Sequence, residues 1–352
     1  MIQVGIEKDL FGVTADGMPV DRYTLRNARG AMVRLIAFGA TVTELHVPDA
    51  RRQLADVVLG FDDLAQYETE HVYFGRMVGR VAFRIAGAEF VLDGQSYPLT
   101  RNDGPHQLHG GTQGFSYVVW QAEPVAAGPA PAVKFTYRSP DGDQGYPGGL
   151  DVAVVYTLTD DNALRIDATA TSDRPTLVNL THHSYFNLAG AGSGDVLKHA
   201  VGIDADRWLP DTPSGVPSGE IASVTDTPYD FTQPMALGAR IQQAGGEPPG
   251  YDLCYLHNHG EGTLACVATV FEPSTGRRME VLTTEPAIVL YTANYLDGSL
   301  RGKGGVPYER HAAVCLETGR PPDAVHQPQF PSTVLRPGET YRHTCVYRFS
   351  AG

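Results

Sequence analysis

The strongest constraint on the fold is an alternation of apolar and polar residues with a period of two. In the segment LDVAVVYTL, every second residue from Val152 to Leu158 is apolar and shares one face of an extended chain, because successive side chains of a strand point to opposite sides. The turn formers TDDN follow, and ALRIDATAT then alternates again from Leu164 to Ala170. Two such runs joined by a short polar turn predict a β-hairpin.

The same pattern recurs along the chain. A second hairpin is predicted in LACVATVFEPSTGRRMEVLTTEP, with its turn marked by Pro273, Ser274 and Gly276. Further strands are predicted for MVRLIAFG, TVTELHV, AVKFTYRS, AVGIDADRW and TYRHTCVYRFS. Helical patterns are few and short, in FDDLAQYE and ALGARIQQAG. The segment PVAAGPAPAV fits a hairpin loop as well as a domain boundary.

Many short strands separated by turn signals favour an all-β fold, a large β-sandwich that forms a single domain over residues 1–352. The 39 glycines and 25 prolines are spread through the turns rather than gathered in one linker. Because 42% of the residues are hydrophobic and 19% are charged, the chain has enough apolar material for a sizeable core.

Charge and cysteine usage exclude several classes of partner. The formal net charge of −13 argues against nucleic acid and against an anionic membrane surface. No apolar stretch approaches a membrane span, and the segment MIQVGIEKDLFGVTADG has no basic region followed by an apolar run. We therefore expect a cytoplasmic protein with reduced, mostly buried thiols at the four scattered cysteines, Cys254, Cys266, Cys315 and Cys345.

Common catalytic motifs are missing from the sequence. The segment GSLRGKGG has a lysine but not the spacing of a phosphate-binding loop, and neither HExxH nor GxSxG occurs. His106 and His109 lie in a loop rich in glycine and proline, which makes them weak candidates for metal ligands. The segment NLTHHSYFNLAG is more informative, because adjacent strand residues face opposite sides and only one of His182 and His183 is expected to serve a site.

Several motifs taken in order carry a resemblance to a known family. They are GRVAFRI, LHGG, SPDGDQGYPG, NLTHHSYFNL, GYD, TTEP and the closing run from CLETG through FPS to LRPGETY. From about Phe38 to the C-terminus the chain resembles the aldose 1-epimerase (galactose mutarotase) family. The resemblance implies a large antiparallel β-sandwich of the galactose mutarotase type. It also implies interconversion of the α and β anomers of a free aldose by acid–base ring opening and reclosure.

The resemblance also implies the roles of the catalytic residues. Glu317 of CLETG corresponds to the base that removes the proton of the C1 hydroxyl, and His183 corresponds to the acid that protonates the ring oxygen. A glutamate works as such a base only if its surroundings raise its pKa towards the working pH. His182 stands where the family usually has asparagine, and we expect it to face mostly the other way. No metal and no cofactor is implied.

The remaining site residues are also assigned by resemblance. Arg84 corresponds to an arginine that grips substrate hydroxyls, His109 to a histidine near the ring oxygen and C1, and Asp252 to a carboxylate that fixes another hydroxyl. Tyr185 is expected to line the same pocket. The segment SPDGDQGYPGGL is interpreted as structural turns. The expected partner is a small-molecule sugar, and the expected assembly is a monomer or a homodimer.

Several positions of the pocket depart from the family pattern. Phe83 stands where asparagine is common, Leu253 where histidine often follows GYD, and Val289 where glutamine often binds a hydroxyl. Gly319 and Arg320 stand where Gln-His is frequent. Because a site without polar groups selects less strongly for a hydroxyl, we expect Phe83, Leu253 and Val289 to shape a drier substrate site.

The sequence leaves several alternatives to a simple aldose mutarotase. One is a related enzyme that acts on a deoxy or otherwise modified sugar, a pentose, or a non-sugar cyclic hemiacetal. Another is a sugar-binding protein without catalysis, although such a protein has no use for a buried acid–base pair. A glycosidase would need two carboxylates about 5–9.5 Å apart, for which Glu317 and Asp252 are the candidates.

Overall fold

The computed structural model describes residues 4–127 and 130–352. Within these residues the chain forms 27 strands, one short α-helix and seven single 3₁₀ turns. The strands, numbered in chain order, are β1 Gly5–Val13, β2 Pro19–Arg26, β3 Met32–Ile36, β4 Thr41–Pro48, β5 Leu54–Asp56, β6 Arg76–Val78, β7 Arg84–Ile85, β8 Glu89–Leu92, β9 Gln95–Pro98, β10 Gln107–Leu108, β11 Gln121–Ala127, β12 Ala130–Ser139, β13 Leu150–Leu158, β14 Ala163–Ser172, β15 Thr176–Leu177, β16 Thr181–His183, β17 Ala200–Ile203, β18 Arg207–Leu209, β19 Ala222–Ser223, β20 Met235–Ala236, β21 Asp252–Leu256, β22 Ala265–Phe271, β23 Arg277–Thr283, β24 Ala287–Tyr291, β25 Cys315–Gly319, β26 Val334–Leu335 and β27 Tyr341–Ala351.

The helical part of the chain is small. Helix α1 spans Leu64–Thr69 and begins at Asp63, whose side chain accepts a hydrogen bond from the amide of Gln66. No helix within the described ranges is long and apolar enough to cross a membrane. The 3₁₀ turns are Ala86–Ala88, Phe115–Tyr117, Asp143–Gly145, Leu237–Ala239, Ile241–Gln243, Lys303–Gly305 and Ala324–His326.

Both predicted hairpins are confirmed. Strands β13 and β14 pair antiparallel, and so do β22 and β23. The apolar residues that alternate along β13 and β14 are buried, as the period of two predicts. Strands β11 and β12 also pair, with Ala127 opposite Ala130, so PVAAGPAPAV joins neighbouring strands of one sheet. Residues 128 and 129 of that connection lie outside the described residues.

Three large antiparallel sheets form the body of the structure. One has nine strands in the order β11-β12-β13-β14-β27-β23-β22-β17-β20, and the other two have five strands each, β1-β2-β3-β4-β5 and β19-β18-β21-β24-β25. A single apolar cluster takes buried side chains from all three sheets, so the sheets pack face to face around a common core. The predicted all-β sandwich is confirmed. The members of the apolar cluster include Val154 and Tyr156, Val33 and Leu45, and Ile288 and Leu290.

Two of the predicted elements differ from the structure. AVGIDADRW is not one strand, because β17 belongs to the nine-stranded sheet whereas β18 belongs to a five-stranded sheet. The chain crosses between the sheets at Asp204, whose carboxylate accepts a hydrogen bond of 2.9 Å from the amide group of the Asn258 side chain. ALGARIQQAG forms two separate 3₁₀ turns, since Arg240 between them has a non-helical backbone with φ of −132°. Alternation along the sequence does not reveal such breaks.

The segment SPDGDQGYPGGL folds around the buried guanidinium of Arg80. This group donates hydrogen bonds of 3.0 Å to the carbonyls of Pro147 and Gly148 and one of 3.1 Å to the carbonyl of Pro140. It also donates to the hydroxyl of Thr176 at 3.2 Å. Several loop acceptors are thereby satisfied by a single side chain, which is the structural role that the sequence suggested for these turns.

Replacing Arg80 with lysine is expected to lower the free energy of unfolding by about 2–4 kcal/mol, because one ammonium leaves buried acceptors unpaired. Arg29 is exposed, so Arg29→Lys serves as the control and should change stability by less than about 0.5 kcal/mol. Denaturant unfolding followed by tryptophan fluorescence measures both variants. Equal stabilities for the two would show that Arg80 does not organise these loops.

Candidate active site

The floor of the main pocket is one face of strands β21, β24 and β25. Cys254 lies opposite Val289, and Val289 lies opposite Glu317, so these three residues form a row across the sheet. The adjacent row starts with Asp252 opposite Tyr291. All five residues line the pocket, and we refer to them as the pocket floor. The base proposed from the sequence therefore lies on a rigid sheet rather than on a loop.

Leu253 borders the pocket but belongs to a different part of the structure. It lies between two residues of the pocket floor on β21, so its side chain takes the opposite face of the sheet. There it joins the central core cluster together with Tyr255 and Leu290. Of the apolar departures noted in the sequence, Phe83 and Val289 therefore change the polarity of the pocket face, and Leu253 does so much less.

A short ladder between β7 and β10 brings Phe83, Arg84 and His109 together. Arg84 pairs with Leu108, and the backbone amide of His109 donates to the carbonyl of Phe83 at 3.1 Å. The amide of Phe83 in turn donates to Nδ1 of His109 at 3.2 Å. Since Nδ1 accepts this bond, the proton of the neutral imidazole is on Nε2. Burial lowers the pKa of His109, so the ring is a neutral hydrogen-bond donor in the pocket.

Arg84 is held by two contacts. Its Nε donates to the carboxylate of Asp103 at 2.6 Å, and its Nη1 donates to the carbonyl of Gly215 at 3.3 Å. These contacts orient the guanidinium on the side of the pocket where Asp252 and Asp211 also lie. This end of the pocket therefore combines one cation with several carboxyl groups.

The two adjacent histidines point to opposite sides of β16. His182 donates or accepts a hydrogen bond of 2.7 Å with the hydroxyl of Ser184 and packs against Tyr156 in the core. His183 lines the pocket, and its ring is stacked between Tyr185 and Tyr73 at centroid distances of 5.0 and 5.7 Å. The two stacked rings fix the plane of the imidazole.

Glu317 and His183 form a buried pair. Nε2 of His183 lies 3.4 Å from Oε1 of Glu317, and the two side chains are only 5% and 3% exposed. Burial, with a contribution from the charge of Asp252, raises the pKa of Glu317 well above its ordinary value. Burial lowers the pKa of His183. The surroundings therefore favour the arrangement in which both groups are neutral and Glu317 is protonated.

Two atoms of this pair have no protein partner among the described residues. They are Oε2 of Glu317 and Nδ1 of His183, and both are fully buried. Buried polar atoms are nearly always hydrogen-bonded in folded proteins, because an unpaired one costs about 1–3 kcal/mol. Since both residues line the pocket, a polar ligand is the natural partner for these atoms.

His109, His183 and Glu317 together have the composition of a metal site. One ligand atom from each of His109, His183 and Glu317 lies within 4.8 Å of the others, and two histidines with one carboxylate suit several transition metals. A metal-bound histidine usually donates a hydrogen bond through its other nitrogen. In His109 that nitrogen accepts a bond from Phe83, so its Nε2 carries a proton. This tautomer suits hydrogen bonding to a ligand better than metal binding.

The structure brings all the sequence-predicted site residues to one pocket of about 210 Å³. His106, which the sequence offered only as a weak candidate for a metal ligand, does not line the pocket. Its Nδ1 accepts a hydrogen bond of 3.1 Å from the amide of Gly87. The eight predicted residues that line the pocket are Phe83, Arg84, His109, His183, Tyr185, Asp252, Val289 and Glu317.

Among the residues that line the pocket, four that sequence reasoning missed are Tyr73, Asp211, Cys254 and Tyr291. The alternation of side chains along a strand could have predicted Cys254 and Tyr291, because each lies two positions from a predicted site residue on the same strand and so faces the same side. Tyr73 and Asp211 lie on segments that only the tertiary fold brings to the pocket, and no sequence signal marks them. All four line the pocket.

Comparison with known proteins agrees with this geometry. A family model described as Aldose 1-epimerase matches residues 21–348. The chain is 43% identical to galactose mutarotase from Bos taurus over 348 residues, which cover 99% of each chain. It is 35% identical to aldose 1-epimerase from Escherichia coli (strain K12), covering 96% of this chain and 97% of that one.

The chain belongs to the aldose 1-epimerase family. Two solved structures agree with this assignment. An aldose epimerase homologue from C. elegans has a TM-score of 0.84 at 34% identity, covering 93% of this chain and 98% of that chain. Galactose 1-epimerase from Lactobacillus acidophilus NCFM has a TM-score of 0.86 at 25% identity, covering 99% and 100%. The fold expected from the family is thereby confirmed.

Asp211 generates a prediction about stability. Desolvation in the pocket, and then the charge of Asp252, raise its pKa from 3.8 to about 7 against the lowering effect of Arg84, while part of the residue stays exposed to solvent. The folded state thus holds this proton between about pH 4 and pH 7, where the unfolded chain has lost it, so the group destabilises the fold as the pH rises through that window. Asp211→Asn removes the ionisation. We therefore expect the free energy of unfolding of the variant, relative to that of the wild type, to be higher at pH 8 than at pH 4.5.

Urea unfolding midpoints of the two proteins at both pH values measure this difference. Asp226→Asn is the matched control, because Asp226 is also exposed but does not line the pocket. A stability difference between Asp211→Asn and wild type that is independent of pH would contradict the assignment of this ionisation to Asp211.

Proposed function

We propose that this protein is an aldose mutarotase in which Glu317 is the catalytic base and His183 the catalytic acid. It interconverts the α and β anomers of a free aldose by opening and reclosing the sugar ring. The observation that carries the proposal is the buried Glu317–His183 pair, whose Oε2 and Nδ1 atoms have no protein partner in the described residues. Full-length similarity to galactose mutarotases and aldose 1-epimerases supports it.

The proposed reaction begins with proton transfer at C1. In the reactive form the proton of the neutral pair has passed from Glu317 to His183. The carboxylate of Glu317 then takes the proton of the C1 hydroxyl, while the imidazolium of His183 gives a proton to the ring oxygen. The bond between C1 and the ring oxygen breaks, and C1 becomes a carbonyl. The pair is now neutral, with the proton on Glu317. After rotation about the C1–C2 bond, the same transfers run in reverse and yield the other anomer.

The burial of the pair assists both transfers. A buried environment disfavours the ion pair that is present with the closed sugar, so it makes Glu317 a stronger base and His183 a stronger acid. Ring opening moves the proton towards the neutral arrangement that the pocket favours. Since reclosure returns the proton to His183, the cycle consumes none.

The other pocket residues position the sugar in this proposal. His109 presents its Nε2–H to an oxygen near C1, because its Nδ1 is already bonded to the amide of Phe83. Arg84 and Asp252 also line the pocket, lie close enough for their charges to interact, and bind hydroxyls of the ring. Charge-assisted hydrogen bonds of this kind fix both the position and the orientation of a diol. Tyr185 keeps the imidazole of His183 in plane.

Location and assembly are part of the same proposal. The four cysteines are free, and three of them are buried, which is typical of a protein in a reducing compartment such as the cytoplasm. We expect a monomer or a homodimer, and light scattering on the purified protein distinguishes the two.

The adjacent histidines provide a matched test. We expect His183→Asn to lower kcat for mutarotation by about 10²–10⁴-fold, because it removes the general acid. His182→Asn changes a core residue that lies outside the pocket and should keep most of the activity. Polarimetry on freshly dissolved single-anomer galactose and glucose measures the rate. We expect Glu317→Gln to lower kcat for mutarotation as strongly as His183→Asn does.

Three results would contradict the proposal. Equal losses in the two histidine variants would mean that the segment acts structurally rather than through one acid. Wild-type protein that binds sugars without accelerating the decay of optical rotation would instead be a binding protein. Release of nitrophenol from a nitrophenyl glycoside would indicate a glycosidase.

A further inference from the structure

The part of the pocket floor next to Glu317 is apolar. Val289 is the cross-strand neighbour of Glu317 on β24, and Cys254 is the next residue in the same row on β21. Phe83 completes this surface, and all three are less than 8% exposed and belong to one apolar cluster. We call Phe83, Cys254 and Val289 the apolar wall. Apart from the weakly bonding thiol, the wall offers no side-chain hydrogen-bond partner to a ligand.

Phe83 occupies its place at a conformational cost. Its φ is +68°, a left-handed value that asparagine adopts readily and a bulky aromatic residue does not. Its Cε2 atom would lie 3.2 Å from a Cβ at Gly319, so a larger residue at position 319 would crowd the ring. The phenyl group and the glycine thus fit each other. An aromatic ring kept in an unfavourable backbone conformation indicates that the apolar surface itself is used.

The order of the strands relates the wall to one carbon of the sugar. Glu317 on β25 has Val289 on one side. Along the other edge of β25 runs the segment that carries His183, whose Phe186 pairs with Val314. C1 has two ring neighbours, the ring oxygen and C2. If the ring oxygen lies towards His183, C2 must lie on the opposite side, towards Val289 and Cys254. Neighbouring strands are about 4.8 Å apart, which suits adjacent ring positions and their substituents.

We propose that the preferred substrates are aldoses without a hydroxyl at C2, that is, 2-deoxyaldoses. The inference rests on the proposed function, since it needs C1 above Glu317 and the ring oxygen at His183. A C2 hydroxyl against the apolar wall loses its hydrogen bonds to water and gains none, whereas a methylene loses nothing there. The hydroxyls further from C1 keep their partners in Arg84 and Asp252.

The test compares sugars that differ at one carbon. The kcat/KM for mutarotation is measured by polarimetry for galactose, 2-deoxygalactose and 6-deoxygalactose, and for glucose and 2-deoxyglucose, with the spontaneous rate of each sugar subtracted. We expect each 2-deoxy sugar to exceed its parent by on the order of 10-fold. Val289→Gln supplies a hydrogen-bond partner at the wall, and we expect it to shift this ratio about 10-fold towards the parent sugars.

Matched variants separate polarity from size. Val289→Leu introduces similar bulk without a polar group and should keep the preference for the 2-deoxy sugars. If Val289→Gln does not fold, Cys254→Ser makes the same comparison with almost no change in volume, and Cys254→Ala is its control. A shift of the ratio in the polar variants alone supports the inference.

The failures are distinguishable from one another. Acceleration of all the sugars with the parents preferred would overturn this inference and leave the proposed function intact. A preference for 6-deoxygalactose over 2-deoxygalactose would overturn the assignment of the wall to C2. No acceleration of any sugar by wild-type protein would overturn the proposed function, and the inference with it.

Discussion

The desolvation of one carboxyl group governs the chemistry of this structure. Glu317 lies on β25, the edge strand of its five-stranded sheet, and is 3% exposed, with Val289 on the neighbouring strand and Nε2 of His183 3.4 Å away. A carboxylate in this position is short of hydrogen bonds, so burial raises its pKa and favours the protonated acid beside His183. The stacking of Tyr73 and Tyr185 on the imidazole keeps the partner of that proton in place. The other residues of the pocket surround this pair.

Backbone geometry sets the other side of the pocket. Phe83 and His109 both have positive φ values, 68° and 51°, and they are joined by hydrogen bonds in both directions. This arrangement selects the tautomer of His109 without any acidic residue. It also presents the ring of Phe83 to the pocket. One pair of strained residues thus determines both a hydrogen-bond donor and an apolar surface.

The sequence allowed much of the fold to be predicted, because alternation in segments such as β13 and β14 shows which side chains face the core. It did not reveal that the chain changes sheets at Asp204, since neither the period nor the turn residues differ there. The resemblance to a family supplied the candidate site residues, and the fold brings them to one pocket. Tyr73 and Asp211 were missed because long-range packing, which alternation does not encode, places them beside the others.

The position of β27 has a consequence for synthesis. This strand follows all the others in chain order, yet it lies in the centre of the nine-stranded sheet, between β14 and β23. While the chain is being made, β14 and β23 therefore each present an unpaired edge until β27 has been synthesised. Open edges of this kind invite pairing with other chains, and contacts between distant segments form slowly. Pairing of β27 thus closes both edges, and until then the nascent chain is open to contacts with other chains.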